Sequence, residues 1–280
     1  MNIIKFLDEF TTEKLQAPMS SRREMFGQLG TISKKAAMLA VPFGLATAGN
    51  KAQAQEVGDV PAIFNLALTL EYLEAEFYMK ALESGVLSSN AKARAIYEQI
   101  SQHEDAHVAF LKQALGSAAI DKPTFDFTAG GNFDPFMEDT STSVDTAYTQ
   151  LLILAQAFED TGVRAYKGQA ANLIGQGNLL TAALQIHSVE ARHASEIRRL
   201  RGLEGWITRN ITGIPDLGVQ AANEGVALVY EGEQNTTQGG IDVTTLGSGN
   251  PFSLDASTQA YDEPMNGETA STIASLFIVS

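Results

Sequence analysis

Cysteine is absent from this chain of 280 residues. Disulfide bonds, thiolate metal sites and thiol nucleophiles are thereby excluded, and stability must come from a packed core. Positive charge is scarce too: 19 Lys and Arg stand against 33 Asp and Glu, for a formal net charge of −14. That balance argues against nucleic acid or an anionic membrane surface as partner, and its plainest consequence is solubility. Long apolar runs are also missing. The longest apolar stretch near the N-terminus, Ala36 to Ala48, is about 13 residues, against the roughly 20 that a membrane-spanning helix needs. The rest is ordinary for a globular protein, 44% hydrophobic and 19% charged, and long enough for one large domain or two small ones.

Residues 1–54 read as a processing segment. Ser21-Arg22-Arg23 opens it, Lys34 and Lys35 follow, and Ala52-Gln53-Ala54 sets small residues where a signal peptidase reads. The paired arginines resemble a twin-arginine export signal, although Met25 stands where that signal usually has Phe and Pro42 interrupts the apolar stretch. A membrane anchor and an amphipathic N-terminal helix are the other readings. Cleavage after Ala54 would remove seven basic and four acidic residues, taking the net charge from −14 to −17. Export of this kind implies a periplasmic or extracellular protein with no membrane span in the mature chain.

Four helices are expected next. The first runs from Asp59, a candidate cap with Pro61 in the first turn, to Ser84, and Gly85 stops it. The second runs from about Asn90 to Gly116. The third starts at Ser143 and ends near Lys167, and the fourth runs from about Asn178 to Arg201. A long connection, Ser117 to Thr142, separates the two hairpins, and its Phe125, Phe127, Phe133 and Phe136 are expected to pin it to the helices. Hairpin, crossover, hairpin predicts an all-α bundle over residues 55–202. Residues 203–280 form an irregular extension with short strands expected at Val226–Tyr230 and Ile241–Thr245 and a terminal helix near Glu268–Phe277. The extension is expected to pack on the bundle or on a neighbouring subunit.

Residues three and four apart share a helix face. On helix one, Phe64, Leu68, Glu71, Ala75, Tyr78 and Leu82 line one stripe; on helix two, Tyr97, Ile100, Glu104, His107, Leu111 and Leu115. Helix three gives Leu152, Ala155, Glu159, Val163 and Tyr166, and helix four Ala183, Ile186, Glu190, His193, Ile197 and Leu200. The order is Glu, Glu-x-x-His, Glu, Glu-x-x-His, with an acid inside every core-facing stripe. Each buried ion costs several kcal/mol unless compensated, so four would exceed the roughly 5–15 kcal/mol net stability of a domain. Two divalent cations would answer the four charges, and this donor order is one by which a four-helix bundle holds two metals. Glu104 and Glu190 are the expected bridges; Glu71, His107, Glu159 and His193 are the expected terminal ligands. The pattern is doubled: a Tyr follows seven residues after Glu71 and after Glu159, as Tyr78 and Tyr166. These tyrosines are candidates to hydrogen-bond the carboxylates, or simply to pack. Glu74 is a candidate spare ligand, or a solvated or interhelical acid. Glu76, with Tyr72 and Lys80, is assigned to a more polar face. His103 and His187 flank the pairs as supporting or surface groups.

The segment Leu68 to Tyr78, the run His103-Glu104-Asp105-Ala106-His107 and the C-terminal Ala260-Tyr261-Asp262-Glu263-Pro264 resemble a ferritin-like domain family that includes plant desiccation-related proteins and exported bacterial proteins. The resemblance covers about residues 58–280. It implies a ferritin-like four-helix bundle with two iron or manganese ions. Function stays open between three expectations: a di-metal oxidoreductase acting on O2 or hydrogen peroxide, a non-catalytic stress or matrix protein that can form a homo-oligomer, and iron storage. Storage ranks last, because a closed cage would have to accommodate the long tail.

Overall fold

The computed structural model describes residues 59–210, 220–247, 249 and 252–279, so the processing segment 1–54 lies outside the described residues. Four long helices dominate: α1 (Val60–Glu83), α2 (Ala91–Leu115), α3 (Val144–Ala170) and α4 (Asn178–Leu200). Their ends follow local chemistry. Asn90 accepts from the Ala93 amide at 3.0 Å and Ser143 from the Thr146 amide at 3.1 Å, each satisfying an orphan N–H of a first turn. Asp59 departs from expectation: its backbone carbonyl accepts from Ile63, but its side chain makes no cap, and Pro in the first turn removes one donor that a cap would serve. Short turns join α1 to α2 and α3 to α4 as antiparallel hairpins, and α1 lies against α3 across the bundle.

The crossover, residues 116–143, is held as its phenylalanines suggested. Phe127 and Phe136 pack on Phe77 of α1 at ring separations of 5.6 and 5.7 Å, and all four crossover phenylalanines are buried. The crossover also covers Tyr72, whose hydroxyl reaches the Ile120 carbonyl, while Lys122 pairs with Glu76 at 2.7 Å. The face assigned as polar is therefore polar only at its rim; Tyr72 itself is core.

The extension contributes α5 (Gln220–Val229), a two-residue hairpin of β1 (Thr237–Gln238) and β2 (Ile241–Asp242), α6 (Leu254–Thr258) and α7 (Gly267–Ser275). The strand expected at Val226–Tyr230 is instead the end of a helix, a short apolar run whose period could not decide the matter. Ile241–Thr245 is a strand only at its first two residues, after which it tightens into a 3-10 turn. The terminal helix falls where expected and packs on α1 and α3. Beyond it, Phe277 stacks edge-on against Phe158 at 4.9 Å, and Val279 donates to the Thr124 carbonyl at 2.9 Å, tying the extension to the crossover.

These layers leave α3 covered on every side. Every residue from Leu151 to Tyr166 is buried, as expected of a helix that meets protein all round rather than water on one face. Among the described residues no helix is long and apolar enough to cross a membrane.

Candidate metal centre

Each hairpin brings one glutamate and one Glu-x-x-His pair into the bundle interior. Glu71, Glu104, Glu159 and Glu190 are fully buried, and His107 and His193 are 8% and 5% exposed. His107 Nδ1 lies 3.0 Å from Glu71 Oε2, 3.0 Å from Glu104 Oε2 and 3.1 Å from Glu190 Oε1. His193 Nδ1 lies 2.8 Å from Glu104 Oε1 and 3.3 Å from Glu159 Oε2. The donor atoms form two overlapping sets, Glu71–Glu104–His107–Glu190 and Glu104–Glu159–Glu190–His193, each within 4.8 Å. Glu104 and Glu190 belong to both.

The two tyrosines do more than pack. Tyr78 on α1 donates to Glu159 Oε1 on α3, and Tyr166 on α3 donates to Glu71 Oε1 on α1, each at 2.5 Å. The exchange is reciprocal and follows the sequence repeat. His103 sits half-buried with its Nδ1 2.8 Å from His193 Nε2, and its own Nε2 meets Gln99. It thus fixes the ring of His193 from behind, as the outer partner of a metal-bound imidazole does. His187 is elsewhere: its Nδ1–H donates to the Val163 carbonyl at 2.9 Å and serves the helix packing. Glu74, left open by the sequence, turns inward and is 2% exposed.

Crowded acids and scarce water perturb Glu74, Glu104, Glu159, Glu190 and both histidines. Burial, then the Glu190 charge, pushes Glu104 up to about 8. Burial, then the Glu71 charge, does the same to Glu190. Burial raises Glu159, and burial with four neighbouring carboxylates raises Glu74 well above the ordinary range. For the histidines burial acts downward but loses: the Glu159 charge and the close Glu104 and Glu159 carboxylates lift His193 to about 11. Bonds to Glu104 and Glu71 and the nearby Glu190 carboxylate raise His107 as well. In the protein alone the groups of this cluster therefore favour their protonated forms.

Protons do not satisfy it. Glu104 Oε1, Glu159 Oε2, both Glu190 oxygens, Glu74 Oε2 and His193 Nδ1 find no hydrogen-bond partner among the described residues. His193 Nδ1 and Glu104 Oε1 are 2.8 Å apart, yet they are not aligned as donor and acceptor. Lone pairs that converge without bonding one another are what a shared cation requires, and an all-oxygen and imidazole donor set suits it.

A model of the ferritin-like domain family matches residues 59–203, more than half of the chain. The chain belongs to the ferritin-like domain family. No curated protein matches it. The ferritin-like match ends where α4 ends, so the extension that covers the back of α3 lies beyond it. That back face carries the groups the sequence did not reveal. Arg198 holds Asp160 through both guanidinium nitrogens, Tyr230 donates to Asp160 Oδ2 at 2.6 Å, and Arg164 pairs with Glu233 at 2.7 Å. Their partners are far apart in the chain, so no local spacing announces them.

Proposed function

We propose that this ferritin-like bundle holds two iron or manganese ions and acts on O2 or hydrogen peroxide. The observation that carries the reading is the pair of overlapping donor sets sharing Glu104 and Glu190. Those two carboxylates would bridge; Glu71 with His107, and Glu159 with His193, would complete the two positions. Bound there, such ions would supply one-electron steps between divalent and trivalent states. The chain's own residues do the rest. Tyr78 and Tyr166 fix the orientation of Glu159 and Glu71. His103 holds the Nε2 side of His193, leaving Nδ1 facing inward. The buried carboxylates exclude bulk water, and the slightly exposed histidine edges favour a very small substrate over a bulky one.

The twin-arginine-like segment supports export to the periplasm or beyond. Folding before export would let the cytoplasm select the metal, which matters because zinc and copper outcompete iron and manganese on raw affinity. Secreted protein loaded with zinc would count against this. A second reading, a stress or matrix protein that uses the bundle for assembly, is favoured by apolar side chains exposed on the extension, among them Ile241, Phe252, Leu254 and Val279.

Elemental analysis of protein from its native compartment, followed by peroxide disproportionation and ferrous-oxidation assays, separates the two. Two iron or manganese ions per chain and activity abolished by Glu104→Ala and His107→Ala are expected. Metal that stabilises an inactive protein would leave the assembly reading.

A further inference from the structure

The internal repeat breaks beside the carboxylate cluster. An offset of 88 residues carries Glu71 onto Glu159 and Tyr78 onto Tyr166, but it carries Glu74 onto Gly162. The mismatch is complementary in space. A Cβ at Gly162 would stand 3.3 Å from Glu190 Oε2 and 3.4 Å from Glu74 Oε1. A side chain there would crowd Glu190 and meet Glu74 in ordinary contact, so the bare α3 backbone leaves room beside the extra acid of α1. Gly in mid-helix costs about 1 kcal/mol relative to Ala, and α3 carries it at a wholly buried position.

Glu74 gains nothing visible from this as a structural group. It is 2% exposed, its Oε2 has no hydrogen-bond partner among the described residues, and no basic side chain is paired with it there. A buried carboxylate left in that state is destabilising. Its surroundings are Glu71, Glu104, Glu159 and Glu190, whose donor atoms already converge. Glu74 lies outside both four-residue sets and stands next to them, its Oε1 facing the same Gly162 as Glu190 Oε2.

We propose that Glu74 is a fifth carboxylate donor to the metal centre, admitted by Gly162, and that it makes the two cation positions unequal. This rests on the dinuclear reading above. It gives the centre five carboxylates against the four positive charges of two divalent ions, so the position on the Glu74 and Glu190 Oε2 side is the one that retains excess negative charge. A centre with Glu71, Glu104, His107, Glu159, Glu190 and His193 alone would be symmetric in its donors.

The test is a stepwise titration of the full metal-free chain with manganese(II) and, separately, with cobalt(II), whose visible spectrum reports its ligands. The parent is expected to take up two ions. Glu74→Gln, which keeps the size of the side chain, is expected to weaken one step by about tenfold or more and leave the other nearly unchanged, as losing a supporting carboxylate typically does. The cobalt spectrum of the weakened position should change. Gly162→Ala should act in the same direction, more weakly, by crowding Glu190 Oε2 beside Glu74. The exchange variant, Glu74→Gly with Gly162→Glu, should restore the weakened step by supplying the same charge from the other helix. Circular dichroism and melting of each metal-free variant check folding. Two steps and a spectrum unchanged in folded Glu74→Gln would overturn the proposal and leave the dinuclear centre intact. A parent that binds no pair of ions would overturn both.

Discussion

Glu159 and Asp160 are adjacent on α3, both buried, and their circumstances are opposite. Asp160 faces the extension and is fully answered by the protein: Arg198 grips both of its oxygens and Tyr230 adds a third bond. Glu159 faces the bundle interior and receives one hydroxyl, from Tyr78, while its other oxygen has no hydrogen-bond partner among the described residues. The same pattern extends outward from each. Behind Asp160 lie the Arg164–Glu233 pair and the Gln156 amide that donates to Tyr230. Around Glu159 lie four more buried carboxylates and two imidazoles. This chain plainly can place arginines against buried acids, so their omission from the interior cluster is what the proposed cation site would require.

The largest expected effect lies on the answered side. Arg198→Ala strands Asp160 in a buried site, and denaturant unfolding should show a loss of about 3–5 kcal/mol, with or without metal. If Glu104→Gln destabilised the metal-free protein as much, the contrast between the two sides would fail. Instead that substitution should leave it nearly unchanged, because metal-free Glu104 keeps its proton up to about 8 and glutamine replaces a neutral acid of the same size.

Chelation comes next. Cations held at a hundredfold above their dissociation constant stabilise by about 2.7 kcal/mol, so a chelator should lower the melting temperature of the parent and not of Glu104→Gln. This difference depends on pH in a definite direction. Folded, metal-free protein keeps protons on Glu104 and Glu190 up to about 8 and on His193 up to about 11, whereas the unfolded chain releases them near 4.3 and 6.5. The cluster's contribution is therefore fully present below about 4.3 and is lost as pH rises through 8 and on toward 11. Cation binding must displace those same protons, so metal affinity should rise across pH 5–8 while metal-free stability falls. Melting curves with and without chelator at several pH values would show the two trends diverge, and parallel trends would refute the assignment.

The smallest effect expected is that of Tyr78→Phe. It removes one hydroxyl from Glu159 and should cost about 1 kcal/mol in the metal-free protein. Equilibrium unfolding resolves that, and a loss as large as that of Arg198→Ala would mean that Glu159 is held by the protein after all.

Much of the interior side was legible in the sequence because helical spacing is a local rule. Glu104 and His107, three apart, must share a face, and so must Glu190 and His193. The two tyrosines were visible from the repeat, though not that each would cross to the other hairpin. Glu74 was visible only as a nearby acid. Its burial depends on α3, whose Gly162 faces it, and α1 is covered on more than one side, so Leu70, Tyr72 and Leu73 are core along with the expected stripe. The exterior side was hidden for the same reason throughout. Asp160 meets Arg198, 38 residues away, and Tyr230 comes from a segment read as strand. Nothing in periodicity relates residues that only tertiary packing brings together.

The complete enclosure of α3 has a consequence for how the molecule opens. No partial fraying of one hairpin exposes Leu151 to Tyr166, since the extension still covers the other side. Their amide hydrogens can trade with deuterium only when both coverings part at once, so the exchange rate of this one helix is a gauge of the global unfolding equilibrium.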